Sequence, residues 1–167
     1  ISEPKSKPEP KPEPQKVPMP EPKQRLKPVK KTPAKTDLTG STAHKEGLRH
    51  YKGDGVRRNF RAAGTWFKKA AAKGHAAAQY NLGIMAFTGQ GLEVNLTAAA
   101  DWFRRAADQD YAPAQYNLGF MFYQGKGVKK DDLEAYTWMN RAANLGYEKA
   151  KQARNLIIRV LPHQTFK

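Results

Sequence analysis

Cysteine is absent from the chain, which removes structural disulfides and thiolate metal sites but leaves either redox compartment open. No apolar run approaches the length of a membrane span, so none is expected here. Carboxylates are scarce: 15 Asp+Glu face 30 Lys+Arg, a formal net charge of +15 over 167 residues. Such an excess favours acidic partners, whether anionic protein surfaces, nucleic acid, anionic lipid or acidic glycan. Proline nearly vanishes after residue 40, where only Pro113 and Pro162 remain of 12. The first residue is Ile1 rather than Met, and an upstream segment is expected to have been processed away or left out.

The other ten prolines lie in residues 1–40, interleaved with Lys and Glu as in Lys11-Pro12-Glu13-Pro14. Little in this stretch can be buried, so it is expected to be a disordered arm of polyproline-II character. At 3.1 Å per residue its proline-dense part reaches roughly 100 Å. In composition it is similar to the Pro-Lys/Pro-Glu spacer of the bacterial energy coupler TonB. A docking ligand for a proline-reading partner is the sharper alternative to a solvated tether.

Beyond the arm, the block 80–115 recurs at a spacing of 36 with no insertion. Gly83, Phe87, Gly89, Gly91, Asn95, Ala99 and Trp102 are matched ahead by Gly119, Tyr123, Gly125, Gly127, Asp131, Ala135 and Trp138. Behind them stand Gly47, Tyr51, Gly53, Gly55, Asn59, Ala63 and Trp66. Three copies in register make a repeat array. Within a block, Ala99, Trp102, Phe103, Ala106 and Ala107 form an apolar helical stripe, and Asn95 sits where its N-cap belongs. Ala78, Leu82 and Phe87 form a shorter stripe with Gly83 in its middle. A helix-interior glycine costs stability, so its recurrence points to close approach of a partner helix. The Gly-x-Gly between the two stripes is a turn. Each block therefore reads as a hairpin of an A helix and a B helix, and neighbours must stack to bury their stripes.

These residues resemble the Sel-one-like repeat (SLR), a relative of the tetratricopeptide repeat, over residues 43–155. The resemblance implies a right-handed superhelix of antiparallel helix pairs that scaffolds protein complexes, with the A helices lining its concave surface. Two departures stand out: Glu46 replaces the leucine of Leu82 and Leu118, and Asp110 replaces the glycine of Gly74 and Gly146. The first copy is accordingly expected to be an edge repeat. The family's disulfide-rich secreted members carry paired cysteines, so that subgroup is excluded.

The expected fold is all-α: a right-handed α-solenoid of three SLR hairpins with a C-terminal capping helix, preceded by the disordered Pro-rich arm. The boundaries expected are an arm over 1–40, a solenoid over 41–161 and a tail over 162–167. Repeats fall at 44–79, 80–115 and 116–151, with the cap over 148–161 stopped by Pro162. Gly40-Ser41-Thr42 marks the start of the first A helix at 41. The spacing predicts helices over 41–51, 61–73, 77–87, 96–107, 113–123 and 132–144.

No catalytic set emerges, and no enzyme activity, cofactor or metal is expected. His44, His50, His75 and His163 lack a paired acid or ligand at metal spacing, though His44 could add to a binding face. Asp101 and Asp108 are two solvated acids rather than an acid/base pair. Asn95-Leu96-Thr97 matches a glycosylation sequon, but Asn95 is already accounted for as a cap. Trp66, Trp102 and Trp138 read as core pins. The face the A helices turn from their B partners holds Lys45, Arg49 and Lys52, then Asn81, Met85 and Thr88, then Asn117, Met121 and Gln124. Amides suit an extended peptide backbone and methionines offer adaptable contact. These nine form the expected partner-binding site. Its basic end is the first copy, since residues 45–80 hold nine Lys+Arg against two Asp+Glu and residues 81–116 hold two against four.

Non-catalytic scaffolding follows as the expected function: a monomer whose groove binds an acidic or extended protein segment while the arm tethers it. A bacterial periplasm or cell-envelope location fits the arm, with the cytoplasm as the alternative. Charge-driven binding of nucleic acid or another acidic polymer is the competing class, but the aromatic residues fall mostly on core positions.

Overall fold

The computed structural model describes residues 38–91, 93–159 and 161. The expectations for the arm over 1–37, for Pro162 and for the tail lie outside the described residues. Seven helices and no strand occur among the described residues: α1 (Leu38–Lys52), α2 (Phe60–Ala72), α3 (Ala76–Thr88), α4 (Leu96–Ala107), α5 (Ala112–Gln124), α6 (Asp132–Asn144) and α7 (Glu148–Ile157). Packing is tightest within the pairs α1–α2, α3–α4 and α5–α6, and each pair also packs on the next, ending with α7 on α6. This is an α-solenoid in which every helix meets its sequence neighbours.

The B helices start where the asparagine register places them. Asn59 Oδ1 accepts the Ala62 N–H at 3.0 Å, Asn95 Oδ1 that of Ala98 at 2.8 Å, and Asp131 Oδ1 those of Leu133 and Glu134. Each such cap contributes about 1 kcal/mol. The same three residues donate their own N–H groups to His50, Ala86 and Phe122, which closes each Gly-x-Gly turn in one geometry.

Close approach does account for the glycine inside each A helix. A Cβ on Gly83 would lie 2.6 Å from the Phe103 ring, and one on Gly47 2.5 Å from the Phe67 ring. Phe67 and Phe103 are fully buried, and their counterpart Met139 nearly so. Of the tryptophans one residue earlier, Trp138 belongs to the core, while Trp66 and Trp102 pack against its edge. Trp66 and Trp102 are only half-buried, and Trp138, although buried, reaches outward to donate its indole N–H to Glu134 at 3.1 Å. One residue along a helix is a rotation of about 100°, so the stripe's deepest point falls on Phe, not Trp. Lys69, Arg105 and Arg141 instead cover the three indoles at 4.5, 4.8 and 4.6 Å.

Polar clamps join consecutive hairpins. Gln79 Nε2 donates to the Ala71 carbonyl and Gln115 Nε2 to that of Ala107, each tying an A helix to the end of the preceding B helix. The middle residue of the turn reaches back to the aromatic residue ending the previous A helix. Tyr51 Oη donates to Gln90 Oε1 at 2.6 Å, and one repeat later Lys126 stands over the Phe87 ring. Asp110 takes the left-handed conformation (φ 59°) that glycine takes at residues 74 and 146.

Several expected boundaries shift. α1 begins at Leu38 and runs through Gly40-Ser41-Thr42, because its first turn lies along the end of α2; a Cβ on Gly40 would touch Lys73 Cβ at 3.3 Å. α2 begins at Phe60 and α3 at Ala76, one residue early in each case. α7 stops at Ile157 rather than at 161, and the chain then turns so that Leu161 is buried in the core.

Candidate partner-binding face

Helical register assigns the side of the A helices left open by packing. On α3, Ala77, Asn81, Ile84 and Thr88 stand at i, i+4, i+7 and i+11, and none is fully buried. The matching positions are Ser41, Lys45, Leu48 and Lys52 on α1, and Pro113, Asn117, Phe120 and Gln124 on α5. One column of this face is apolar throughout: Leu48, Ile84 and Phe120 are half-buried, and Leu156 on α7 is 64% exposed. Four apolar side chains at one register thus run the length of the array, flanked by Lys45 and Lys52 on α1.

The nine residues expected to bind a partner divide. Lys45, Lys52 and Thr88 are exposed, and Asn81 and Gln124 are half-buried. Met85 and Met121 are 0% and 1% exposed, so they belong to the core and are corrected out of the open face; Asn117 keeps the register of Asn81 but is covered there, at 4% exposed. The physical reason is visible at Gly64 of α2, where an added Cβ would meet Met85 Cε at 3.2 Å. Residue 85 points at the preceding hairpin, and the open position is 84. Arg49 shares the register of Met85 but is exposed because, among the described residues, no hairpin precedes α1. It pairs with Glu46 at 3.3 Å and donates Nε to the Asp54 carbonyl. Glu46 sits where Leu82 and Leu118 are fully buried, so the two departures from the apolar pattern satisfy one another at the array's edge.

Asn81 is engaged already: its Nδ2 lies 3.0 Å from His44 Nε2. Thr88 Oγ1 donates to the Ile84 carbonyl, a bond within its own helix. Gln124 Oε1 is buried without a hydrogen-bond partner, and Asn117 faces the Tyr80 hydroxyl. Sequence reasoning missed the apolar column although its signal was present, since Leu48, Ile84, Phe120 and Leu156 follow the same spacing of 36. No group of three metal-ligating side chains occurs among the described residues. None of their helices is long and apolar enough to cross a membrane.

The model of the Sel1 repeat matches residues 46–75, 76–111 and 112–147. Among solved structures the chain is similar to a Sel1 repeat protein from Oxalobacter formigenes, at 36% identity and a TM-score of 0.69 over 70% of this chain and 48% of that one. It is also similar to c5321, a protective antigen of uropathogenic Escherichia coli with an SLR fold, at 36% identity and a TM-score of 0.66 over 66% of this chain and 24% of that one. The cysteine rich protein B of Helicobacter pylori shares the fold, at 21% identity and a TM-score of 0.60 over 70% of this chain and 90% of that one. This chain therefore spans about half the length of the first and a quarter of the second. A comparison with curated proteins returns no match.

Proposed function

The chain belongs to the Sel1 repeat family, whose members are generally protein-interaction scaffolds, and from that premise we propose a non-catalytic scaffold that docks a partner segment along the open face of its A helices. The observation that carries this reading is the apolar column Leu48, Ile84, Phe120 and Leu156: the first three pack on the core along one side yet stay partly accessible, and Leu156 is 64% exposed. An extended segment lying across the helices would meet one apolar side chain per hairpin. Asn81 flanks the column with an amide oxygen able to accept from a peptide backbone, and Gln124 with an amide nitrogen able to donate to one. Lys45 and Lys52 bias the α1 end towards an acidic stretch of the partner. The Pro-rich arm serves as tether, the scaffold acts as a monomer, and a periplasmic or cell-envelope setting suits the arm's composition.

A pull-down with the whole chain and with the repeat region lacking the arm identifies the partner and tests the tether. Binding of that partner is then compared between the parent and Lys45→Gln/Lys52→Gln. The expected result is weaker binding with a flatter salt dependence. Arg49 is left intact because it holds Glu46 and the turn. Undiminished affinity at low salt would overturn the placement of the acidic stretch. A steep log–log salt slope with little discrimination among sequences would instead indicate nucleic acid.

A further inference from the structure

A ring pair recurs along the array. Tyr80 and Tyr111 stand with centroids 5.3 Å apart, and Tyr116 and Tyr147 5.4 Å apart. Thirty-six residues before Tyr80 and Tyr111, the same two positions hold His44 and His75, stacked at 4.4 Å. Each pair bridges one A helix to the residue just before the next, so it fastens one hairpin to its successor. The tyrosines stay neutral at any physiological pH, since burial raises all four hydroxyls. Histidine has no such margin.

The surroundings of the first pair require neutral rings. His75 is the N-cap of α3 and accepts the Ala78 N–H on Nδ1 at 3.3 Å, which a ring protonated on both nitrogens cannot do. It also stands at a helix N-terminus, where a positive charge is unfavourable. His44 Nε2 faces the Asn81 amide, and the Phe67 ring of α2 lies 5.8 Å away. The charged groups nearby give no relief. Lys52 of α1 disfavours a charge on His44, Lys73 closes α2 two residues before His75, and Glu46 is engaged by Arg49. Burial, the neighbouring ring and Lys52 together lower His44 to about 4, and burial lowers His75 as well, outweighing a backbone hydrogen bond that favours its charged form.

We propose that the His44–His75 stack is an acid-sensitive latch that holds the first hairpin to α3 when neutral and loosens it when protonated. The latch stands independently of the docking reading, although Lys45 and Lys52 ride on the hairpin it holds. Both imidazoles are depressed below their ordinary value of 6.5. Their contribution is therefore complete above 6.5, declines as pH falls from there, and for His44 is spent once pH passes about 4.

Hydrogen exchange of the full chain at about pH 7.5 and about pH 5, corrected for intrinsic rates, reads the latch directly. The expected result is that α1 and α2 lose protection roughly tenfold more than α5 and α6 on acidification. His44→Tyr/His75→Tyr installs the ring pair of the other hairpins and should remove that difference. His75→Asn keeps a capping acceptor without a titrating ring and should reduce it, which guards against a double variant that fails to fold. Equal losses in all hairpins, or an undiminished acid loss in either variant, would overturn the latch.

Discussion

The first and second hairpins share one backbone plan and almost nothing of its surface. Gly47 meets Phe67 as Gly83 meets Phe103, and Asn59 caps its helix as Asn95 does. Yet Glu46 stands for Leu82, a His–His stack for Tyr–Tyr, and a strongly basic exterior for a slightly acidic one. The core is divided along the same line. Ala43, Phe67 and their neighbours close with Leu82 and Met85 of α3 into one cluster, and a second runs from Tyr80 through α7. A handful of positions fixes the hairpin, and the remainder are free to give each copy its own task. The first copy has used that freedom for charge and for titratable rings.

Breaking the shared plan should have the largest effect. Phe103→Ala should cost about 3–5 kcal/mol and lower the melting midpoint of the whole array, because Phe103 lies in the large cluster. Phe67→Ala removes as much from its own site, but a biphasic melt is expected, with the first hairpin lost early. Coincident single transitions for both variants would contradict the division of the core. Gly83→Ala comes next: its Cβ would drive into the Phe103 ring, at a cost of about 1–3 kcal/mol. Adding Phe103→Leu should recover part of that loss in denaturant titrations. Asn95→Ala should cost about 1 kcal/mol through the lost cap, and Asn59→Ala about the same, seen in chemical denaturation. Unequal losses would show that the caps are not equivalent between copies. The smallest effect belongs to Lys45→Gln/Lys52→Gln, which should leave stability within about 0.5 kcal/mol while changing partner binding.

The hairpins were legible because a spacing of 36 shows the same side chain three times, which separates what the fold demands from what one copy happens to carry. α4 (Leu96–Ala107) and α6 (Asp132–Asn144) begin and end where that register put them, since an Asn or Asp cap marks each start. The start of α1 was not legible. Its Gly40-Ser41-Thr42 looks like a boundary, but contact with the end of α2 keeps it helical. On the A helices the middle row of the expected face, at 49, 85 and 121, was misjudged by one residue. Residues 84 and 85 are both apolar, and only the neighbouring hairpin decides which is covered. The same holds for Trp102 and Phe103, both on the apolar stripe, where the tryptophan recurs in every copy but the phenylalanine lies deeper.

Site-specific photo-crosslinking tests the docking face most directly. A photoreactive side chain at Ile84 or Phe120 samples the open side of the A helices, and one at Thr65 or Thr137 samples exposed positions on the B helices. The partner found by pull-down should be captured from 84 and 120 and not from 65 or 137, with capture from 84 weakened by Lys45→Gln/Lys52→Gln. Capture from 65 or 137 with none from 84 or 120 would place the partner on the opposite side of the solenoid and contradict the account.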